Sequence, residues 1–63
     1  MRLKELREDH DYKQEYVANI LGTSQVHYSR IETGKCKLNS DYLIILAKLY
    51  QVSTDYILGL TER

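Results

Sequence analysis

The chain has 63 residues, 43% hydrophobic and 29% charged, with nine basic and nine acidic side chains and a formal net charge of zero. A chain of this length is expected to form a single domain, 1–63, and to bury only ~60% of its unfolded surface, which leaves little room for a deep catalytic cleft. Cys36 is the only cysteine, so no internal disulfide or multi-thiol zinc site can form.

The stretch from 1 to 15 is densely charged and does not read as a secretory leader. The longest apolar run, 43–47, is far short of a membrane span. Together with the lone thiol these features point to a soluble, cytoplasmic protein with no membrane partner.

Leu3, Leu6 and Arg7 fall at helical spacing, which predicts helix 1 over about 2–9 with those side chains inward. Asp9, His10 and Asp11 form a polar link. Helix 2 covers Gln14–Leu21, with Val17, Ala18 and Leu21 inward. Gly22 and Thr23 make the next turn. Gly22 accepts positive φ at no steric cost, and the small Ala18 lets the following helix approach steeply. Ser24 is suited to cap helix 3, about 24–32, whose buried side carries Tyr28 and Ile31. Gly34 has the position just beyond a helix end that favours left-handed backbone.

A loop follows over 35–38. Asn39 or Ser40 caps helix 4, about 41–50, in which Leu43, Leu46, Ala47 and Tyr50 repeat at helical spacing. Ser53 is the expected cap of helix 5, Thr54–Leu58, which Gly59 ends. Tyr56, Ile57 and Leu60 are expected to close the core. Five short helices, no strand pattern, no repeat and no linker give an all-α domain.

Two helices joined by a tight glycine turn hold the second one out as a ridge, and such a ridge fits the major groove of B-DNA. The zero net charge weighs against nucleic acid, but its distribution does not. Residues 13–37 carry a net charge of +2, while 1–12 and 38–63 each carry −1. A local basic patch attracts phosphate even on a neutral molecule.

Helix 3 presents the groups that this reading needs. Gln25 lies at its start, and a glutamine amide pairs with adenine N6 and N7. Val26 suits a thymine methyl. His27 can donate to guanine or phosphate, and Arg30 can reach guanine O6 and N7 or a phosphate. For each the competing reading is a solvated or partly buried surface residue. Tyr28 reads as core, and most tyrosines fall on apolar faces; Tyr16 is the expected exposed one. Single-stranded or RNA binding would need more exposed aromatics. Glu8, Asp9 and Asp11 read as a solvated helix end. No Ser/His/Asp or Cys/His constellation and no glycine-rich phosphate loop occurs, so no enzyme, cofactor or metal is expected.

LKELRE at 3–8, Gln14, Val17-Ala18, Leu21-Gly22, Ser24, Ile31-Glu32, Gly34-Lys35 and the ending VSTDYILGL occur together at fixed spacing. In these features the chain resembles the lambda-repressor/Cro type of helix-turn-helix regulators, close to xenobiotic-response-element-like repressors, over nearly its whole length. The resemblance implies a compact five-helix, lambda-repressor-like DNA-binding domain. It implies that Gln14 binds a phosphate and braces Gln25, and that Gln25, Val26, His27 and Arg30 face the bases. It also implies backbone contacts from Lys35 and from the helix start at Ser24, and a salt bridge between Arg7 and Glu32. Leu38 departs from the family, which often has proline there. No further domain is expected after helix 5, so a dimer would form through this one domain.

The resulting expectation is a transcriptional repressor acting as a weak homodimer on double-stranded DNA with a near-palindromic operator. Contact between the two copies is expected near helix 5, with Leu58 the residue most suited to face the partner. The alternative is a protein-interaction module, such as an antitoxin or an anti-repressor partner, which the neutral charge and short length favour.

Overall fold

Three side-chain oxygens set where three of the five helices begin. Ser24 Oγ accepts the His27 amide at 3.1 Å, Asn39 Oδ1 the Tyr42 amide at 2.8 Å and Ser53 Oγ the Tyr56 amide at 3.0 Å. Each oxygen satisfies one of the amides that a helix start leaves without a partner. The computed structural model describes residues 1–61; Glu62 and Arg63, the last two residues of the expected 1–63 domain, lie outside the described residues. The elements are α1 (Leu3–Asp9), α2 (Gln14–Leu21), α3 (Gln25–Glu32), α4 (Ser40–Tyr50) and α5 (Thr54–Leu58), with no strand among the described residues. Asn39 rather than Ser40 is the cap, so α4 starts one residue earlier than the spacing suggests.

The turn between α2 and α3 depends on one glycine. Gly22 has φ +74°, in the left-handed region, and closes α2. Its amide donates to Asn19 O at 3.1 Å, and the Thr23 amide donates to Ala18 O at 3.0 Å. A Cβ on Gly22 would meet nothing within 4 Å, so the requirement there is dihedral and not spatial. Ala18 is buried beneath the turn, and α2 packs against α3.

The core draws on all five helices. Leu3 and Leu6 enter from α1, Val17, Ala18 and Leu21 from α2, Tyr28 and Ile31 from α3, Leu46 and Tyr50 from α4, and Ile57 from α5. Leu43, Ala47 and Tyr56 pack at its edge, half-buried. Leu60 corrects the expectation: it is 74% exposed. After Gly59 turns the chain with φ +83°, the Leu60 amide donates back to Asp55 O at 2.9 Å. That bond closes the end of α5 and leaves the Leu60 side chain outside the core. Among the described residues no helix is long and apolar enough to cross a membrane.

Candidate DNA-binding surface

α3 is amphipathic in a way that leaves one polar face open. Tyr28 and Ile31 anchor it in the core. Gln25 with Ser29, and Val26 with Arg30, are pairs four residues apart and so lie on one face. Together with Gln14 at the start of α2 they line a shallow, open depression of about 340 Å³. Gln25 and Arg30 are exposed, and Val26 is 63% exposed, high for an aliphatic residue in so small a domain. The surface thus offers two amides, a hydroxyl, a guanidinium and one apolar patch. Ser29 was not among the residues singled out from sequence, although its place four residues after Gln25 carried the signal.

His27 stands apart from that group. Its Nδ1 lies 2.8 Å from Thr23 Oγ1, and its ring meets the edge of the Tyr42 ring at 6.3 Å between centroids. The side chain is half-buried against the turn and α4 and does not line the depression. Ser24 is exposed at the start of α3, with its hydroxyl engaged as the cap. Lys35 is exposed in the turn after α3, where its amide donates to Arg30 O at 2.8 Å.

Beneath the surface a polar network joins three helices. The Arg7 guanidinium makes a two-pronged contact with Glu32: Nε donates to Oε2 and Nη2 to Oε1, both at 2.9 Å. Nη1 donates to Tyr12 O at 2.9 Å. The pair is largely buried, with side-chain exposures of 13% for Arg7 and 3% for Glu32. Burial alone would raise the Glu32 pKa. The hydrogen bond and charge of Arg7, with the neighbouring Tyr28 and Gln14, outweigh burial and hold it below the ordinary value.

Gln14 Nε2 donates to Glu32 Oε1 at 3.3 Å. The Gln14 amide is thus tied to the buried carboxylate, while its side chain also borders the depression beside Gln25. The Tyr28 and Tyr50 hydroxyls are buried close by without a well-formed hydrogen bond. Burial, and then the nearby Glu32 carboxylate, push both phenols up, Tyr50 to about 12 and Tyr28 further.

This network changes how the charge on the surface counts. The +2 of residues 13–37 includes Glu32, whose charge is spent on Arg7 inside the fold. Lys13, Arg30, Lys35 and Lys37 are all exposed, with Glu15 the exposed acid in that stretch. The basic excess presented to solvent is therefore larger than the sequence sum. Among the described residues no group of three or more His, Cys, Asp or Glu is placed to share a metal ion.

The family model described as "Helix-turn-helix" matches residues 3–57. The uncharacterized HTH-type transcriptional regulator YobD of Bacillus subtilis strain 168 is 44% identical over 61 residues, which is 97% of this chain and 54% of that protein. HTH-type transcriptional regulator ImmR of the same strain is 39% identical over 61 residues, 97% of this chain and 48% of that protein. The SPbeta prophage-derived uncharacterized regulator YonR is 35% identical over 57 residues, 90% of this chain and 53% of that protein. No solved structure gives a significant match. The chain spans about half the length of the curated relatives it matches. Five helices without a strand among the described residues, the Gly22 turn and the family match lead to one assignment: the chain belongs to the helix-turn-helix family, as a DNA-binding domain of the lambda-repressor/Cro type that HTH-type transcriptional regulators carry.

Proposed function

We propose that the chain binds double-stranded DNA in a sequence-specific manner, as a transcriptional repressor in the cytoplasm, with α3 in the major groove. The observation that carries this reading is the open polar face of α3, where Gln25, Val26, Ser29 and Arg30 meet Gln14 in one depression. Gln25 reads adenine by a paired donor and acceptor, Val26 takes a thymine methyl, and Arg30 takes guanine or phosphate. His27 contacts the DNA from outside the depression, with Thr23 holding its ring. Gln14, Lys35 and the α3 start at Ser24 hold the backbone, which sets register without reading sequence. The work asked of these residues is recognition, and no catalytic step is assigned to them.

The chain acts as a weak homodimer on a near-palindromic operator. Two-fold symmetry then places two α3 helices in successive major grooves, ~34 Å apart. Exposed Leu58 and Leu60 at the end of α5 support a contact there, since it leaves α3 free for DNA. Repression follows from occupying a site that overlaps a promoter. The test is selection of bound sites from a random duplex library. A recovered consensus with two inverted half-sites agrees with the reading, and recovery of no sequence preference overturns it.

A further inference from the structure

The His27 ring is held outside the depression by the turn and by α4. Its Nδ1 lies 2.8 Å from Thr23 Oγ1, and its ring meets the edge of Tyr42 at 6.3 Å between centroids. The backbone is fixed as well, since the His27 amide donates to Ser24 Oγ at 3.1 Å. The other ring nitrogen is placed differently. Among the described residues Nε2 has no hydrogen-bond partner, and it is not one of the buried polar atoms left without one, so it reaches solvent.

A neutral imidazole has one donor and one acceptor nitrogen, and the partner of one decides the role of the other. Among the described residues the Thr23 hydroxyl pairs with Nδ1 and with no other group, so its proton goes to Nδ1. The ring proton then lies on Nε2, which becomes a donor facing water. The position of that donor counts against a base edge. Gln14, Gln25, Val26, Ser29 and Arg30 line the depression, and His27 does not. Its neighbours are Thr23 and Ser24 at the helix start and Tyr42 on α4. It stands on the flank of α3, where a helix lying in the major groove passes the sugar-phosphate strand. A phosphate oxygen is an acceptor, which suits a ring nitrogen that donates.

We propose that Thr23 is a positioning residue for His27: its hydroxyl donates to Nδ1, which leaves the Nε2–H of His27 directed outward as a donor to a DNA phosphate oxygen and not to a base. The proposal rests on the reading of α3 as the helix in the major groove. It moves His27 from the residues that read sequence to those that set register. It also gives Thr23 a share in affinity that passes through a single ring.

The experiment measures affinity by anisotropy for a duplex recovered by selection and for the same duplex with each base pair of a half-site changed in turn. A third set of duplexes carries a neutral methylphosphonate in place of one phosphate at a time. His27→Ala is expected to lose roughly fivefold on every sequence, with its base preferences unchanged. It should also be insensitive to the one methylphosphonate per half-site that costs the wild-type chain about the same. Thr23→Val keeps the shape and removes the hydroxyl; it should lose roughly threefold, again evenly, while Thr23→Ser recovers wild-type affinity. In the His27→Ala background Thr23→Val should cost nothing further, a result that a purely structural role for Thr23 would not give. His27→Asn keeps a polar group near Nδ1 and has no atom at Nε2, and it decides in the same way if His27→Ala does not fold. A loss confined to one base position makes His27 a base reader and overturns the phosphate assignment. Wild-type affinity in Thr23→Val, or the same loss from Thr23→Val with and without His27, overturns the role of Thr23. If the wild-type chain binds no duplex, the reading of α3 itself fails, and the proposal with it. Nitrogen-15 spectra of the imidazole then still decide the pair: an Nδ1–H ring at neutral pH shows that Thr23 does not donate.

Discussion

Replacing Arg7 by alanine tests whether the buried pair organises the fold. Glu32 is 3% exposed and Arg7 13%, so the figure for surface ion pairs, below ~1 kcal/mol, does not apply. Alanine leaves the Glu32 carboxylate buried with Gln14 as its remaining hydrogen-bond donor at 3.3 Å, and it also strips Tyr12 O of its donor. Stranding one member of a buried pair costs ~3–5 kcal/mol. A domain of this size is stable by only ~3–9 kcal/mol in total, so the variant should be partly unfolded at room temperature or melt at least ~12 °C lower.

The loss should depend on pH in a defined direction. In the wild-type chain the Glu32 pKa lies below its ordinary 4.5, so the pair's contribution is present above about that pH and is lost as pH falls through the lower folded value. In Arg7→Ala, burial without the cation favours the protonated acid, and protonation removes the stranded charge. The wild-type and variant stabilities should therefore converge as pH falls. Arg7→Lys should recover part of the loss, since it restores charge without the two-pronged geometry. Urea unfolding followed by circular dichroism between neutral and acid pH measures all three. A loss in Arg7→Ala under ~1 kcal/mol at neutral pH, or one that does not shrink with acid, would refute the argument.

Other consequences concern the surface and the turn. Gln25→Ala should weaken binding to a selected operator by ~1–3 kcal/mol and relax preference at one base position, with the melting temperature unchanged because the side chain is exposed. Gln14→Ala should instead weaken binding evenly across sequences; anisotropy titration of both variants against matched and mutated sites separates the two. Gly22→Ala should cost ~1–2 kcal/mol in urea unfolding, from the left-handed backbone alone, since the space around the new Cβ is open. A loss well above that range would mean that the turn is also sterically tight.

What the sequence made legible was local. Ser24 and Ser53 announced themselves as caps because a small hydroxyl before an apolar-periodic stretch has few other uses, and Gly22 stood where only positive φ closes the turn. Periodicity also held in α4, where Leu43, Leu46, Ala47 and Tyr50 enter or border the core as their spacing requires. In α4, Ile44 and Ile45 look as suited to the core as Leu46, yet they are exposed. Leu60 was misplaced because nothing in its type reveals that its amide would be drawn back to Asp55.

The long-range contacts were invisible without a template. The Arg7–Glu32 pair was expected from the resemblance alone, and no spacing rule announced the hydrogen bond from Gln14 to Glu32. Nor does any connect Arg2 with Tyr56, whose carbonyl accepts from its guanidinium across 54 positions. His27 looked like any other outward residue of helix 3 until Thr23 and Tyr42 were found beside it.

The central claim is that α3 and its basic surround bind duplex DNA. It is tested most directly by fluorescence anisotropy of a selected operator duplex and of its separated strands over a range of salt concentrations. With ~4–6 phosphates neutralised per dimer, log K for the duplex should fall with log salt at a slope of about −4 to −5, and the strands should bind far more weakly. Equal affinity for single strands, or a duplex affinity indifferent to salt, would contradict the account.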